Sequence, residues 1–204
     1  MRRYTSLLLF GWLYGCVKLA QPAPTISDYR LDYRPPSAVG TPLPVTLGVP
    51  SLRVGAVYDR DVIVYRDGDH ATGTYYYSRW SANPGDMIAD LLARDFADSG
   101  LYRAVQRGPS LLPVDYQLTG TIEEIEERVG GSGCAAHLTL RVLLVHATGS
   151  GDPVRLKKAY SGDESCACNQ PRAFAAAMSR TLLRISAELQ QDTYDAVARG
   201  NGES

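Results

Sequence analysis

Three long extended segments in the second half of the chain constrain its fold most. "VDYQLTGTIEEIEER" (114–128) largely alternates apolar with polar residues, which is the pattern of a strand with one buried face. "AHLTLRVLLVHAT" (136–148) contains a stretch that is apolar on both faces, which favours a central position in a sheet. The turn "GSGDP" (149–153) then leads into a returning strand, "VRLKKAYSG" (154–162). We therefore expect a sheet connected mainly by hairpins.

Two amphipathic helices are predicted beside this sheet. The first spans 83–100, with Asn83 as its N-cap, Pro84 at its first position and Gly100 at its left-handed C-terminal end. The second spans about 171–198, where apolar residues recur at steps of three and four. Further strands are predicted at 44–54, where Pro50 favours a break, and at 61–66, 73–80 and 101–106. These elements predict an α+β fold, with a mostly antiparallel sheet of about six to seven strands and both helices packed on one face.

The N-terminus has the features of a bacterial lipoprotein signal. A short basic start precedes an apolar stretch, residues 5–15, which is shorter than the roughly 20 residues that a membrane-spanning helix needs. The stretch ends in "LYGC", which resembles a lipobox. Residues 1–15 are therefore predicted to be a signal peptide and Cys16 to be the lipidated first residue of the mature chain. Tyr14 is bulkier than the usual residue of this motif. The alternatives are a plain signal peptide with a later cleavage site and a short buried helix.

A proline-rich segment follows the predicted lipidation site. Residues 17–50 contain seven prolines, which resist helix and favour extended backbone. We predict that residues 16–42 form a lipid-anchored tether, including a short edge strand at 29–33, where apolar and charged residues alternate. Residues 43–198 are predicted to form a single domain, and 199–204 a disordered tail.

Three further cysteines, Cys134, Cys166 and Cys168, belong to the body of the protein. In the oxidising compartment that an exported chain enters, paired thiols become disulfides. The predicted hairpin places Cys134 opposite Ala167, and a shift of one residue would place Cys166 or Cys168 opposite it. We expect one disulfide and one remaining thiol. The alternatives are a metal site of three thiolates and a histidine, for which the usual ligand spacing is missing, and unpaired thiols.

The sequence contains none of the common catalytic motifs. It has no nucleophile elbow, zincin motif or P-loop, so we predict no catalytic residue, no metal and no cofactor. The formal net charge of −1 gives no electrostatic basis for binding nucleic acid.

We interpret His137 and His146 as structural residues, and "EEIEE" (123–127) as a solvated rim rather than a pair of catalytic carboxylates. Arg79 and Trp80 are a candidate recognition pair because such residues are common in interface hot spots. The simpler interpretation is that Trp80 packs in the core.

The order of several motifs resembles the ABC-type transport auxiliary lipoproteins. The corresponding positions in this chain are Cys16, Tyr29–Tyr33, Asp59–Arg66, Arg79–Trp80 and Asp115–Gly120. They match a lipobox, a Tyr-rich first strand, a "DR-x-x-I-V-x-R" stretch, an "RW" before a proline-capped helix, and a "DY-x-L-x-G" strand. The resemblance covers about residues 10–198. The three downstream cysteines are not part of this pattern.

The resemblance implies a non-enzymatic role. Such a lipoprotein is the accessory subunit of an MCE-type or paraquat-inducible-type system that moves lipids between the inner and outer membranes. Its implied partners are an MCE-domain periplasmic protein and the ABC transporter complex, and a homo-oligomer is also considered. The implied location is the outer membrane, facing the periplasm, because Val17 stands where an Asp would suggest retention at the inner membrane. A pilotin-like or other envelope-assembly lipoprotein is the alternative function.

Overall fold

The structure, a computed structural model, describes residues 24–108, 113–131, 133–147 and 153–202. The predicted signal peptide and the predicted lipidation site, Cys16, lie outside these residues. The described elements, in chain order, are β1 (Ser27–Tyr29), β2 (Leu43–Val49), β3 (Arg53–Val54), β4 (Val62–Asp67), β5 (Ala71–Trp80), α1 (Pro84–Asp98), β6 (Tyr102–Arg107), β7 (Tyr116–Gly130), β8 (Gly133–His146), β9 (Val154–Cys166) and α2 (Pro171–Gly202).

The strand β7 lies at the centre of the sheet and is paired along both edges. One edge carries β8, antiparallel to β7 along nearly its whole length. The other edge carries β2, β3 and β4 in succession, all parallel to β7, with Leu47 beside Tyr116 and Tyr65 beside Glu127. The interruption between β2 and β3 falls at Pro50, where the sequence predicted a break. The chain from β2 to β4 thus follows β7 as one interrupted strand.

The prediction of a mostly antiparallel sheet of six to seven strands is wrong. The described strands form one mixed sheet of nine. Its pairings are parallel between β1 and β5, β2 and β6, and β7 and each of β2, β3 and β4. Only β4–β5, β7–β8 and β8–β9 are antiparallel among the described pairings. Alternation of apolar residues predicts a strand and its buried face, but it carries no information about which distant strand becomes the neighbour.

The helix α1 agrees with its sequence signals at both ends. The side chain of Asn83 accepts a hydrogen bond from the Gly85 amide at 2.8 Å, and Pro84 starts α1. Gly100 follows α1 with a left-handed φ of 67°. The helix α2 continues through Gly202, four residues into the segment 199–204 that was predicted as a disordered tail. Gly200 lies against Tyr116 of β7, so this last turn still contacts the body.

The helices pack on the same core and contact each other. From Leu156 onward, beyond a shift in register, residues at even positions of β9 face α2, as shown by the hydrogen bonds from Lys158 and Tyr160 to Asp192 of α2. Because side chains alternate along a strand, the odd positions of β9 and their partners on β7 and β8 point away from the helices. We call this second side the open face; it includes Thr121, Glu124, Glu126, His137 and Asp163.

The segment before β2 is packed against the body over much of its length. Its first described strand, β1, pairs in parallel with the end of β5, and Leu31 is buried. The Thr41 amide donates to the hydroxyl of Tyr194 in α2 at 3.0 Å, and that hydroxyl lies 3.1 Å from the Thr41 carbonyl. Residues 27–42, the second part of the predicted proline-rich tether, therefore lie along the sheet edge and the helices.

A buried carboxylate, Asp95 of α1, joins this segment to both helices. The Tyr33 hydroxyl donates to Asp95 Oδ2 at 2.7 Å, and the Ser186 hydroxyl of α2 donates to the same oxygen at 2.6 Å. Arg94 binds the other oxygen of Asp95 and lies 4.8 Å over the Tyr33 ring. Burial and the Asp95 carboxylate raise the pKa of Tyr33, so this hydroxyl stays protonated and remains a donor. We call these four side chains the Asp95 clasp.

Candidate functional site

The structure separates the two residues of the candidate recognition pair. Trp80 is almost fully buried and packs on Phe174 of α2, with ring centroids 5.7 Å apart. Arg79 lies at the surface, where its Nη1 is 3.3 Å from Asp61 Oδ2. Of this pair, only Arg79 is accessible to a partner.

The cysteines lie at the end of the β8–β9 hairpin. Across most of this hairpin the numbers of two paired residues add up to 300, whereas the predicted register gave 301. Cys166 therefore lies directly opposite Cys134. The disulfide nevertheless joins Cys134 to Cys168, with a Cα–Cα distance of 5.1 Å, and Cys166 is a free thiol. The disulfide takes two of the three thiolates that the alternative metal site would need.

The open face carries a hydrogen-bonded polar network that extends from β4 to β9. Its centre is Glu126, which is 0% exposed and accepts hydrogen bonds from Tyr58 at 2.6 Å and from Arg66 at 2.8 Å. Arg128 Nε lies 3.2 Å from the same carboxylate. Burial, followed by the hydrogen bond to Glu126, raises the pKa of the Tyr58 hydroxyl. The buried charge of Glu126 is thus balanced by two guanidinium groups.

His137 is held in the same network. Its Nδ1 lies 2.8 Å from Asp163 Oδ1, and its Nε2 lies 2.9 Å from both Glu124 Oε2 and the Thr139 hydroxyl. The other predicted structural histidine, His146, is stacked on Tyr116 with ring centroids 4.5 Å apart. Each histidine has its own partners, and the two do not form a pair.

Glu127 lies on the opposite side of the sheet from Glu126 and is also 0% exposed. It accepts a hydrogen bond from the Tyr75 hydroxyl, and the Cys166 thiol lies 3.9 Å from its Oε1. Among the described residues, no basic side chain forms an ion pair with it. The interpretation of "EEIEE" as a solvated rim is therefore wrong for Glu126 and Glu127, because β7 is covered on both faces at this point.

A groove of about 370 Å³ lies on the open face beside this network. Its walls combine cationic, hydroxyl and apolar side chains: Arg53, Thr119, Thr121, Arg141, Leu143, Val154 and Lys157. Arg141 is paired with Glu123 at 2.7 Å. Arg53 and Lys157 have no acidic partner among the described residues. The groove therefore presents two cationic side chains without an acidic partner beside apolar ones.

Several kinds of feature are absent from the described part of the chain. No group of three His, Cys, Asp or Glu side chains within it is arranged to hold a metal ion. None of its helices is long and apolar enough to cross a membrane. The polar clusters consist of side chains that bind each other, and we find no nucleophile paired with a base beside a cavity among these residues.

Comparison with known families shows to which family the chain belongs. The family described as the ABC-type transport auxiliary lipoprotein component matches residues 29–190. The chain belongs to this family. The match includes the open face, the groove and the disulfide of this auxiliary lipoprotein. The family is an auxiliary transport component rather than a catalytic family, which is consistent with the prediction of a non-enzyme. No curated protein matches the sequence.

Solved structures share the fold of this auxiliary lipoprotein. Protein XCC0632 from Xanthomonas campestris is 23% identical, with a TM-score of 0.77 over 87% of this chain and 99% of that one. Hypothetical protein CT253 from Chlamydia trachomatis is 10% identical, with a TM-score of 0.56 over 76% of this chain and 98% of that one. At these identities the likeness concerns the fold alone.

Two features of this surface were missed by sequence reasoning. The groove draws its residues from β3, β7, β8 and β9, and no local pattern shows that these strands are neighbours. The Asp95 clasp likewise joins residues that are 62 and 91 positions apart. A signal for the clasp exists in retrospect. Asp95 follows Leu91 and Leu92 by four and three positions, which places it on their apolar side of α1, and a charge there needs partners.

Proposed function

We propose that this chain is a non-enzymatic, membrane-anchored accessory subunit of an MCE-type ABC transport system. In this role it helps lipids to move between the inner and outer membranes by docking the periplasmic component at the outer membrane. The observation that carries the proposal is the family match over residues 29–190. The assignment to an MCE-type system rests on the motif order described above.

We further propose that Cys16 is lipidated and anchors the protein to the outer membrane, facing the periplasm. The structure supports a mechanical role for such an anchor. The segment that follows it is fastened by β1, by the Asp95 clasp and by the Thr41–Tyr194 hydrogen bonds. A force applied at the anchor would therefore reach both helices and the sheet edge. The described part of this segment, residues 24–42, packs along the sheet edge and the helices and does not cross the open face.

The groove on the open face is the proposed docking surface for an acidic region of the periplasmic partner. Charge complementarity is the supporting argument, since Arg53 and Lys157 lack acidic partners among the described residues and lie beside the apolar side chains of Leu143 and Val154. Interfaces commonly combine a charged rim with apolar contacts. Attraction between opposite charges would also speed association at low ionic strength.

The test is affinity purification of the full chain from membranes, followed by mass spectrometry of the proteins that come with it. We expect an MCE-domain protein and ABC transporter subunits. Recovery of secretin or other assembly proteins instead would support an envelope-assembly role and overturn the proposal. The variant Cys16→Ala should move the protein out of the membrane fraction. Unchanged fractionation would refute the anchor at that residue.

The docking surface is tested by charge reversal. The double variant Arg53→Glu/Lys157→Glu should reduce recovery of the partner at least tenfold, and the loss should be larger at low salt. The matched control is Arg172→Glu, which reverses an exposed arginine at the start of α2, on the helix side. Equal recovery with the double variant and the control would assign docking to another surface.

A further inference from the structure

We propose that Cys134, Cys166 and Cys168 form an internal thiol–disulfide exchange site. In this site Cys134 can be bonded to either of the other two cysteines, and one of the two arrangements exposes Cys168 as a reactive surface thiol. The site is independent of the proposed transport role, and its test uses a different readout.

The register of the hairpin carries the proposal. Cys134 is directly opposite Cys166, yet its disulfide runs to Cys168, two residues further along the chain. Directly opposed residues of antiparallel strands have Cβ atoms about 4.5–5.5 Å apart, close to the Cβ separation of about 3.5–4.5 Å that a disulfide needs. Cys134 and Cys166 are also on the same side of the sheet. The unused sulfur therefore lies within reach of the buried end of the existing bond.

The exchange needs no external oxidant or reductant. The Cys166 thiol loses its proton, and the thiolate attacks the Cys134 sulfur. A Cys134–Cys166 bond forms as the Cys134–Cys168 bond breaks, and Cys168 leaves as a thiolate that takes up a proton. One disulfide and one thiol are present before and after the step. The reverse attack by Cys168 restores the first arrangement.

The surroundings of Cys166 set the rate of this step. Burial and the nearby Glu127 carboxylate raise the pKa of the Cys166 thiol to about 11, against the weaker opposite effect of Arg180 on α2. Tyr75, from β5, reaches the same carboxylate with its hydroxyl. Because only the thiolate attacks, exchange is slow at neutral pH and accelerates about tenfold for each pH unit up to about 11.

The two arrangements differ in what they present to solvent. Cys134 is only 5% exposed, whereas Cys168 lies in the exposed turn between β9 and α2. In the Cys134–Cys168 form, this turn is covalently tied to β8, and the free thiol is the half-buried Cys166. In the exchanged form, the turn is released, and the free thiol is at the surface. Cys168 then becomes a site for electrophiles or for mixed disulfides with small disulfides.

The experiment follows the free thiol by trapping. The full chain in detergent is incubated with N-ethylmaleimide between pH 7 and pH 9, digested without reduction, and analysed by fragmentation between Cys166 and Cys168. We expect label on both residues, and formation of the Cys168 adduct about a hundredfold faster at pH 9 than at pH 7. Label confined to Cys166 throughout this pH range would overturn the proposal.

Two single variants make the result independent of the wild-type rates. Cys168→Ser should contain a Cys134–Cys166 disulfide after purification without reductant, whereas two free thiols in the folded variant would show that Cys166 is out of reach. Cys166→Ser should give no label on Cys168, and label there would assign the exposure of Cys168 to another cause. The thermal unfolding midpoint of each variant confirms that it is folded.

A third variant, Glu127→Gln, tests the electrostatic part of the argument. It removes the carboxylate that contributes to the raised pKa of Cys166. Thiolate population rises as the pKa falls, but intrinsic nucleophilicity decreases, so the exchange rate at pH 7 should rise about threefold for each pH unit of the fall. A slower exchange in this variant would show that Glu127 instead assists the attack by removing the proton.

Discussion

Replacing Tyr33 with Phe tests how the N-terminal segment is held to the body. The substitution keeps the aromatic ring, and with it the contact with Arg94 at 4.8 Å. It removes one hydroxyl, which donates to Asp95 Oδ2 at 2.7 Å. Asp95 is 0% exposed, so water cannot replace the lost donor without a rearrangement. Ser186 and Arg94 remain as partners of the carboxylate.

The expected loss follows from the charge of the acceptor. A hydrogen bond to an ionised group contributes about 1.5–3 kcal/mol, and because the carboxylate keeps Ser186 and Arg94 as partners, we place the loss near the middle of that range. We therefore expect Tyr33→Phe to lower the free energy of unfolding by about 2 kcal/mol. With a urea dependence of about 2 kcal/mol per molar, the unfolding midpoint should fall by about 1 M.

Urea unfolding followed by circular dichroism measures this loss, and Tyr76→Phe is the matched control. Tyr76 is 81% exposed, so removing its hydroxyl should change stability by less than about 0.5 kcal/mol. The Ser186→Ala variant completes a double-mutant cycle, because both hydroxyls bind the same Oδ2 atom; we expect a coupling energy above about 0.5 kcal/mol. Equal stability of the Tyr33 and Tyr76 variants would refute a stabilising role for the clasp.

Three further predictions concern other parts of the fold. Asn83→Ala should cost about 1 kcal/mol by removing the N-cap of α1, visible as a lower thermal midpoint, whereas Asn83→Ser should retain most of it. Gly120→Ala should cost about 1–3 kcal/mol, since a Cβ there would overlap the backbone carbonyl of Arg141; unchanged urea unfolding would contradict this close approach. Burial raises the pKa of Tyr102 and Tyr160 above their ordinary value of 10.0. Such groups stabilise the folded state below that pH, so the urea midpoint should fall as pH rises from 10 to 11; a flat profile would contradict it.

The sequence predicted the elements well because their signals are local. The helix α1 begins at Pro84 after the Asn83 cap and is followed by the left-handed Gly100, as the residue types indicate. The break between β2 and β3 falls at Pro50. The β8–β9 hairpin is present, with a register one residue away from the predicted one. Each of these features depends on residues that are close together in the chain.

The candidate site was less predictable because it is built from distant strands. Glu126 looked like part of a charged rim, since nothing nearby in sequence indicates that Arg66 would lie beside it. Arg53 and Lys157 meet in the groove only because β3 follows one edge of β7 and β9 is added beyond β8 on the other. Trp80 is the exception, because the apolar character of its own side chain was enough to predict that it packs in the core.

The sequence by itself determined the strands and helices, the faces that they bury and the presence of three cysteines close enough for one disulfide. These follow from side-chain periodicity and turn residues, which act over a few positions. Only the tertiary structure decided that the sheet is mixed, that Glu126 and Glu127 are buried on opposite faces, and that Cys134 is bonded to Cys168 while facing Cys166. Strand order, burial and register depend on groups far apart in the chain, whose contacts exist only when all the layers have packed.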